Sequence, residues 1–278
     1  MKRKPGMTQL SASPARTTPA PRRALLLAGA LACMALGGCG KASLSDMTAS
    51  IGASADMPRG DAALRKFADE WGDRYEADRR DKKAAITYAK ALRALGQNGQ
   101  AAAVMQGLAI QNPNDMQVLG EYGKALADAG RLREAADILG RAHTPERPNW
   151  SILSAQGSVA DQLGAHAEAQ SYYAAALKIR PDDPSILSNL GLSYALSHDL
   201  ARAEATLRDA ISAPQADMRV RQNLALVLAL QGKFAEAEEV SRRDLSPIDA
   251  AANVQTIRRM IAESNTWRDI RKVDRKRG

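Results

Sequence analysis

Side chains that could carry catalytic chemistry are few in this sequence, and they are scattered. The three histidines, His143, His166 and His198, occur without the HExxH spacing or any comparable arrangement of metal ligands. The chain also lacks a GxxxxGK[ST] phosphate loop and a GxSxG nucleophile turn. Adjacent acids such as Asp182-Asp183 and Glu238-Glu239 point apart on a helix or serve as caps, so they predict solvated faces. The sequence therefore predicts a protein with no enzymatic activity, no metal or other cofactor, and no small-molecule substrate.

One cysteine, Cys39, follows a sequence that indicates chemical modification of its thiol. Basic residues, including Arg22-Arg23, precede an apolar run over residues 24–36, which is too short to span a bilayer but typical of a signal peptide. The next residues, Leu36-Gly37-Gly38-Cys39, resemble a bacterial lipobox. That resemblance implies that the Cys39 thiol is acylated, by palmitate among other chains, and that residues 1–38 are removed as a lipoprotein signal peptide. An uncleaved short anchor, or an ordinary signal peptide with incidental cysteines, is the alternative.

The residues around Cys39 also indicate a location. Cys33 leaves with the signal peptide, so the mature chain has neither a free thiol nor a disulfide. Lys41 and its neighbours include no aspartate of the kind that retains lipoproteins at the inner membrane. The resemblance therefore implies a lipid-anchored protein on the periplasmic face of the outer membrane. Residues 39–60 are rich in Ser, Ala, Gly and Met, which predicts a flexible tether behind the lipid.

A period of 34 residues organises the middle of the chain. Five copies, which start at Lys82 and fill residues 82–251, stay in register without a gap, and such self-similarity is the signature of a repeat protein. The eighth position is always small, the fifteenth is glycine in all copies but one, and the twentieth is always alanine. Those three columns read Ala89, Gly123, Gly157, Gly191 and Ala225; Gly96, Gly130, Gly164, His198 and Gly232; and Ala101, Ala135, Ala169, Ala203 and Ala237.

These columns predict that each repeat is a hairpin of two antiparallel helices. Small residues let the helices approach closely, and position twenty-four supplies a larger side chain such as Leu139 or Tyr173. Glycine at position fifteen ends the first helix in the left-handed conformation, which costs little without a Cβ. His198 replaces that glycine in one copy, and we expect it to occupy the same turn.

The repeats resemble the tetratricopeptide repeat. The fourth copy carries the pattern best, with the matching residues Leu187, Leu190-Gly191, Tyr194, Ala203, Leu207 and Ala210. This resemblance implies an all-α, right-handed solenoid of helical hairpins whose inner face binds protein segments. The fifth copy departs from the pattern at Ser241 and Asp244, as is usual for a terminal repeat.

The flanking segments complete the predicted domain order. Residues 61–81 are expected to form an N-terminal half-repeat helix, residues 252–266 a C-terminal capping helix with Val254, Ile257 and Ile261 on its apolar stripe, and residues 267–278 a basic tail. The whole chain has 39 basic and 31 acidic residues, but the predicted mature form has 33 against 31. The repeats lack a concentrated basic face, which argues against nucleic-acid binding.

The inner face of the predicted solenoid is the candidate binding surface. Positions two, five, six, nine, twelve and thirteen of each first helix should line a groove that is basic at its N-terminal end, polar in the middle and apolar at its C-terminal end. Asn189 and Asn223 could hold an extended peptide by its backbone, or could cap a neighbouring loop. The groove residues that we expect to contact a partner are Lys90, Arg93, Lys124, Asp128, Asp161, Asn189, Leu192, Asn223 and Leu226.

A narrower resemblance concerns the last repeat and the segment after it. The stretches Val220–Leu228, Gly232–Glu238, Arg242–Leu245 and Ala250–Met260 are similar to the TadD lipoproteins of the tight-adherence (Flp) pilus apparatus. That resemblance implies a periplasmic adaptor for pilus biogenesis and secretion, with protein components of the pilus machine, among them the secretin, as partners. The alternative is an envelope scaffold lipoprotein for outer-membrane biogenesis or polysaccharide export.

Overall fold

The structure is a computed structural model that describes residues 57–58 and 60–277, with side chains described as far as Glu263. The predicted signal peptide, Cys39 and nearly all of the predicted tether lie outside these residues. Twelve α-helices and no strand occur in the described part of the chain. They are α1 Asp61–Ala77, α2 Lys82–Ala94, α3 Asn98–Gln111, α4 Met116–Asp128, α5 Leu132–Gly140, α6 Trp150–Gln162, α7 His166–Ile179, α8 Pro184–Leu196, α9 Leu200–Ser212, α10 Met218–Leu230, α11 Phe234–Ser241 and α12 Pro247–Arg277.

The helices form an all-α solenoid of five hairpins, which confirms the predicted fold. Each first helix (α2, α4, α6, α8, α10) packs against the second helix of its own repeat and against the next repeat. The small residue at position eight is required at this contact. A Cβ added to Gly157 would lie 2.6 Å from the ring of Tyr173, and one added to Gly123 would lie 2.6 Å from Leu139 Cγ.

The turn inside each hairpin follows the predicted column. The glycines at position fifteen all have positive φ, between 73° at Gly96 and 83° at Gly164, and His198 takes φ 66° in the same place. Left-handed backbone is strained for a residue with a Cβ, so His198 carries a cost of roughly 1–2 kcal/mol that its glycine counterparts avoid.

A further column fixes where the first helices begin. The residue before each of them is Asp81, Asp115, Asn149, Asp183 or Asp217, and its side chain accepts a hydrogen bond from the backbone at the helix start. Such caps satisfy donors that the helix itself leaves unpaired and typically contribute about 1 kcal/mol each. A capping role was predicted for adjacent acids such as Asp182-Asp183, but not that the cap recurs in every repeat.

Two residues of the fifth repeat that differ from the repeat pattern, Arg221 and Asp244, interact with each other. Asp244 stands where other repeats have a small or apolar residue, and Arg221 stands at position four, which is leucine in repeats two to four. The Arg221 guanidinium binds both oxygens of Asp244, at 2.7 Å from Nε and 2.6 Å from Nη2. The two departures from the repeat pattern thus form a bidentate ion pair with each other.

The last helix is longer than the capping helix that we predicted. The cap was expected at residues 252–266 with a separate tail at 267–278, whereas α12 begins at Pro247 and its backbone is helical without a break to Arg277. Val254 and Ile257 are buried against the last hairpin and Ile261 packs beside them, as predicted. No helix in the described residues combines the length and the apolar character needed to cross a membrane.

Candidate peptide-binding groove

Consecutive first helices lie side by side, and together they form what we term the first-helix face. At its N-terminal end, α2 and α4 bring together Lys90, Arg93, Glu121, Lys124 and Asp128, which we term the ion cluster. Glu121 is its centre: its carboxylate lies 3.6 Å from Lys90 Nζ, 3.8 Å from Arg93 Nη1 and 3.2 Å from Lys124 Nζ. The Arg93 Nε atom also donates to Asp128 at 2.5 Å, and Lys124 Nζ donates to Ser151 Oγ on α6 at 2.8 Å.

The electrostatics of the ion cluster follow from its burial. Burial disfavours the Glu121 anion, but the cations Lys124, Lys90 and Arg93 outweigh it and lower the pKa of Glu121. Burial lowers the pKa of Lys124, and the Glu121 charge offsets only part of that effect. Three cations face two carboxylates, so the ion cluster carries one excess positive charge.

The three basic residues predicted to contact a partner, Lys90, Arg93 and Lys124, are already paired with carboxylates of the chain. They do lie together, but the Glu121 carboxylate, at position six of the same face, lies between them, so they do not form a bare basic surface. Lys124 has only 7% of its side chain exposed, whereas Lys90 has 26% and is the most accessible member. Removing one partner of a buried ion pair typically costs about 3–5 kcal/mol, because the other charge stays buried without compensation. Lys124 is therefore a poor position for a mutation meant to test binding alone.

The two predicted asparagines are internal to the stack. The Asn223 amide donates to Ser188 Oγ at 2.9 Å, and the Asn189 amide lies 3.5 Å from Ser154 Oγ. Each bond joins position six of one repeat to position five of the repeat before it, and both amides are buried. The structure thus favours a structural role over peptide contact, and the neighbour is a helix rather than the loop that we considered.

The apolar end of the predicted groove is also covered. Leu192 is 6% exposed and Leu226 is 2% exposed. Both belong to a core cluster that also includes Val254 and Ile257 of α12, so their side chains pack inside the stack of helices. We correct our expectation that these leucines are available to a partner.

Asp161 is at the centre of a second polar cluster. His166 Nδ1 lies 2.9 Å from Asp161 Oδ1, and the Ser193 hydroxyl donates to the same oxygen at 2.8 Å. Asp161 and Ser193 are buried, and burial raises the pKa of Asp161 although His166 and Ser193 act against it. Because Ser193 and His166 both bind the carboxylate, the histidine does not activate the hydroxyl, and this is not the arrangement of a serine nucleophile.

The Asp161 cluster predicts a pH-dependent effect of Asp161→Asn. The amide oxygen can still accept from Ser193 and His166, while the variant no longer buries a charge. A carboxyl whose pKa is raised by folding adds stability below its unfolded pKa and loses it as pH rises through its folded pKa. The stability of the variant relative to the parent should therefore increase from about pH 4 to neutral pH.

Urea unfolding of parent and variant across that pH range measures the difference. Asp209→Asn, at an exposed position on α9, is the matched control and should show no such trend. A variant that is less stable than the parent at neutral pH would mean that the bonds of the ionised carboxylate outweigh its burial.

No metal site is present in the described residues, where no three His, Cys, Asp or Glu side chains are grouped closely enough to hold an ion.

The stacked hairpins and the polar first-helix face define the chain as a helical-repeat protein of the type used for protein–protein interaction. The tetratricopeptide repeat matches residues 86–149 and 154–217, which cover most of the first four repeats. Within these two ranges the chain is similar to the tetratricopeptide-repeat family.

Solved structures of tetratricopeptide-repeat proteins share the fold. TTC0263, from Thermus thermophilus, is 20% identical with a TM-score of 0.56, over 63% of this chain and 97% of that one. PilW, a type IV pilus biogenesis factor, is 16% identical with a TM-score of 0.58, over 70% and 91%. A chain of the APC/C hetero-tetramer Cut9–Hcn1 is 15% identical with a TM-score of 0.58, over 73% of this chain and 40% of that one. No curated protein matches the chain. At these identities the likeness concerns the fold alone.

Proposed function

We propose that this protein is a non-enzymatic adaptor, lipid-anchored through Cys39 at the periplasmic face of the outer membrane, that binds protein segments during assembly of a tight-adherence (Flp) pilus. The tetratricopeptide repeats support the binding role. The lipobox and the TadD-like stretches between residues 220 and 260 support the location and the pilus system. The fold shared with PilW is compatible with such a role.

The ion cluster is the observation that carries the binding proposal. It lies on the first-helix face, joins α2 to α4 and reaches α6 through Ser151. Its excess positive charge is held in a partly buried setting, where Coulomb interactions are stronger than in bulk water. An acidic side chain or terminal carboxylate of the partner would balance that charge through charge-assisted hydrogen bonds. Lys90 is the member best exposed to make the first contact.

Charge reversal at Lys90 tests the binding surface. Lys90→Glu turns the excess charge of the ion cluster from positive to negative and leaves the Arg93–Asp128 and Lys124–Glu121 pairs in place. Since an exposed ion pair contributes about 0.2–1 kcal/mol, Lys90→Ala should weaken capture of the partner at most about fivefold. The reversal to glutamate should weaken it more, and both effects should shrink at high salt because salt screens exposed charges.

The measurement is binding of the secretin and neighbouring pilus proteins to the immobilised chain at several salt concentrations. Lys178→Glu makes the same charge change at an exposed position on α7 and should bind as the parent does. Circular dichroism checks that each variant stays helical. If Lys90→Glu binds normally while deletion of residues 267–278 abolishes capture, the basic C-terminal segment is the recognition element and the groove proposal fails.

The alternative scaffold function predicts the same lipid anchor but different partners. A scaffold for outer-membrane biogenesis would bind a β-barrel protein, and an accessory of polysaccharide export would bind that machinery. The neighbouring genes separate these cases: a secretin, a secretion ATPase and a prepilin peptidase beside this gene support the pilus role, and their absence favours the scaffold.

A further inference from the structure

Helix α12 continues well past the contacts that hold it to the solenoid. Its apolar stripe packs against the last hairpin as far as Ile261, and the Arg258 guanidinium lies 5.1 Å from the centroid of the Phe234 ring on α11. Among the described side chains, which end at Glu263, none after Ile261 is buried. The backbone nevertheless stays helical from residue 262 to Arg277, over a length of about 24 Å.

This last part of α12 carries a concentrated positive charge. Residues 264–277 contain six basic and two acidic residues, a net charge of +4. The rest of the predicted mature form has 27 basic and 29 acidic residues and is slightly negative. The six basic residues are Arg268, Arg271, Lys272, Arg275, Lys276 and Arg277.

The sequence of this segment does little to stabilise a helix by itself. Residues four apart are neighbours on a helix surface, and here Arg268 is followed by Lys272 and Arg271 by Arg275. Like charges at that spacing destabilise a helix in water. Since most helical stability in proteins comes from packing of an apolar face, a helix in residues 264–277 requires a surface that neutralises its charge.

The spacing of the apolar residues indicates what kind of surface this is. Trp267, Ile270 and Val273 recur every three residues, so their positions fall within about 120° of one another around a helix. The positions of four basic residues fall in the other half, namely Arg268, Arg271, Lys272 and Arg275. A helix with a tryptophan on its apolar side and Lys and Arg on its polar side is typical of segments that lie in the interface of an anionic bilayer.

We propose that residues 264–277 of α12 bind an anionic phospholipid surface and give the solenoid a second contact with the membrane. The proposed lipid anchor at Cys39 supplies that membrane nearby. Residues 40–60 could span at most about 70 Å when fully extended, and five first helices packed 8–10 Å apart span about 40–50 Å. Both ends of the solenoid can therefore reach one surface, which would hold the first-helix face alongside the membrane.

This inference extends the proposed function, but its test needs neither the lipid nor a pilus partner. The predicted mature chain, residues 39–278 with Cys39→Ser, is mixed with phosphatidylcholine vesicles that contain or lack phosphatidylglycerol, and the bound fraction is measured by sedimentation. We expect binding to the anionic vesicles only, and its loss at high salt because salt screens the charges. Trp267→Ser should weaken binding as well, because the indole adds apolar contact with the interface.

A charge-neutral variant identifies the segment responsible. Each basic residue near an anionic surface contributes about fivefold to partitioning, so replacing four of them by glutamine should weaken binding by at least about tenfold. The substitutions are Arg268→Gln, Arg271→Gln, Lys272→Gln and Arg275→Gln. The matched control removes the same number of charges at exposed positions of the solenoid and should retain most of the binding; it combines Arg133→Gln, Arg147→Gln, Lys178→Gln and Arg243→Gln.

Hydrogen exchange supplies an independent measurement. Anionic vesicles should slow exchange of the amides in residues 264–277 by at least about tenfold and leave those of α6 unchanged. Absence of binding to anionic vesicles, or equal binding by the two fourfold variants, overturns the proposal. It is also overturned if soluble polyglutamate binds the chain as tightly as the vesicles do and Trp267→Ser has no effect, since the segment then recognises an acidic protein. Each of these results leaves the pilus role, which the Lys90 variants test, unaffected.

Discussion

Replacing Ala203 by tryptophan should destabilise the solenoid strongly. Ala203 stands at position twenty of the fourth repeat, on α9, and is completely buried in the cluster that also contains Leu207 and Leu224. An indole at this point would have to separate α9 from its neighbours, and overpacking costs typically about 1–3 kcal/mol and occasionally more. For a folded part of this size the Tm falls about 2–4 °C for each kcal/mol, so we expect a decrease on the order of 10 °C.

The matched control for this prediction is Ala205→Trp, two residues further along the same helix at an exposed position. It introduces the same side chain without a buried contact and should melt close to the parent. Because neighbouring repeats stabilise each other, the buried substitution should also loosen α7 and α10, which hydrogen exchange can follow. Equal melting temperatures for Ala203→Trp and the parent would contradict the assignment of position twenty to the helix contact.

The fold could be predicted from the sequence because its constraints recur at one spacing. The glycine column predicted five turns, and the substitution at His198 could be placed in the same turn because the columns on both sides stay in register. Close packing at position eight was predictable for the same reason, since only a small residue fits beside Tyr173 or Leu207. These properties depend on local backbone conformation and side-chain volume, which a single repeat already encodes.

The environment of the candidate site was less predictable. Lys90 is 31 residues from Glu121, and Arg93 is 35 residues from Asp128, so each pair joins different repeats and depends on how first helices are offset. The same holds for Asn223 and Ser188. The repeat pattern places these residues on the inner face, but a pattern within one first helix does not show which neighbours cover them. Burial of the inner face by the next repeat decides which residues stay accessible.

The Asp161–His166 contact could have been found from the sequence. The two residues are five apart, on either side of the turn at Gly164, and a left-handed glycine brings the end of one helix beside the start of the next. We had considered His166 only as a candidate metal ligand, for which the surrounding spacing is wrong. In contrast, no local signal indicates that the predicted cap and tail belong to one helix, since the apolar stripe ends near Ile261 while the backbone of α12 continues.

Cys39→Ser should release the protein from the membrane, and this is the largest effect that we expect on its location. Each buried methylene of a lipid chain contributes about 0.8 kcal/mol, and one chain alone gives only marginal, reversible binding, so the several chains of a lipoprotein anchor much more firmly. A serine cannot accept them. The variant should move from the outer-membrane fraction to the soluble periplasm, or stay unprocessed at the inner membrane through the apolar segment at residues 24–36.

Cell fractionation with metabolic labelling by a palmitate analogue measures both outcomes. Cys33→Ser is the matched control, because Cys33 lies inside the predicted signal peptide and should leave labelling and fractionation as in the parent. An unlabelled parent, or a Cys39→Ser protein that still sediments with the outer membrane, would show that Cys39 is not the anchor. In that case the uncleaved anchor, or an ordinary signal peptide with incidental cysteines, accounts for the N-terminus. The adaptor would then need contacts of its solenoid to stay at the envelope.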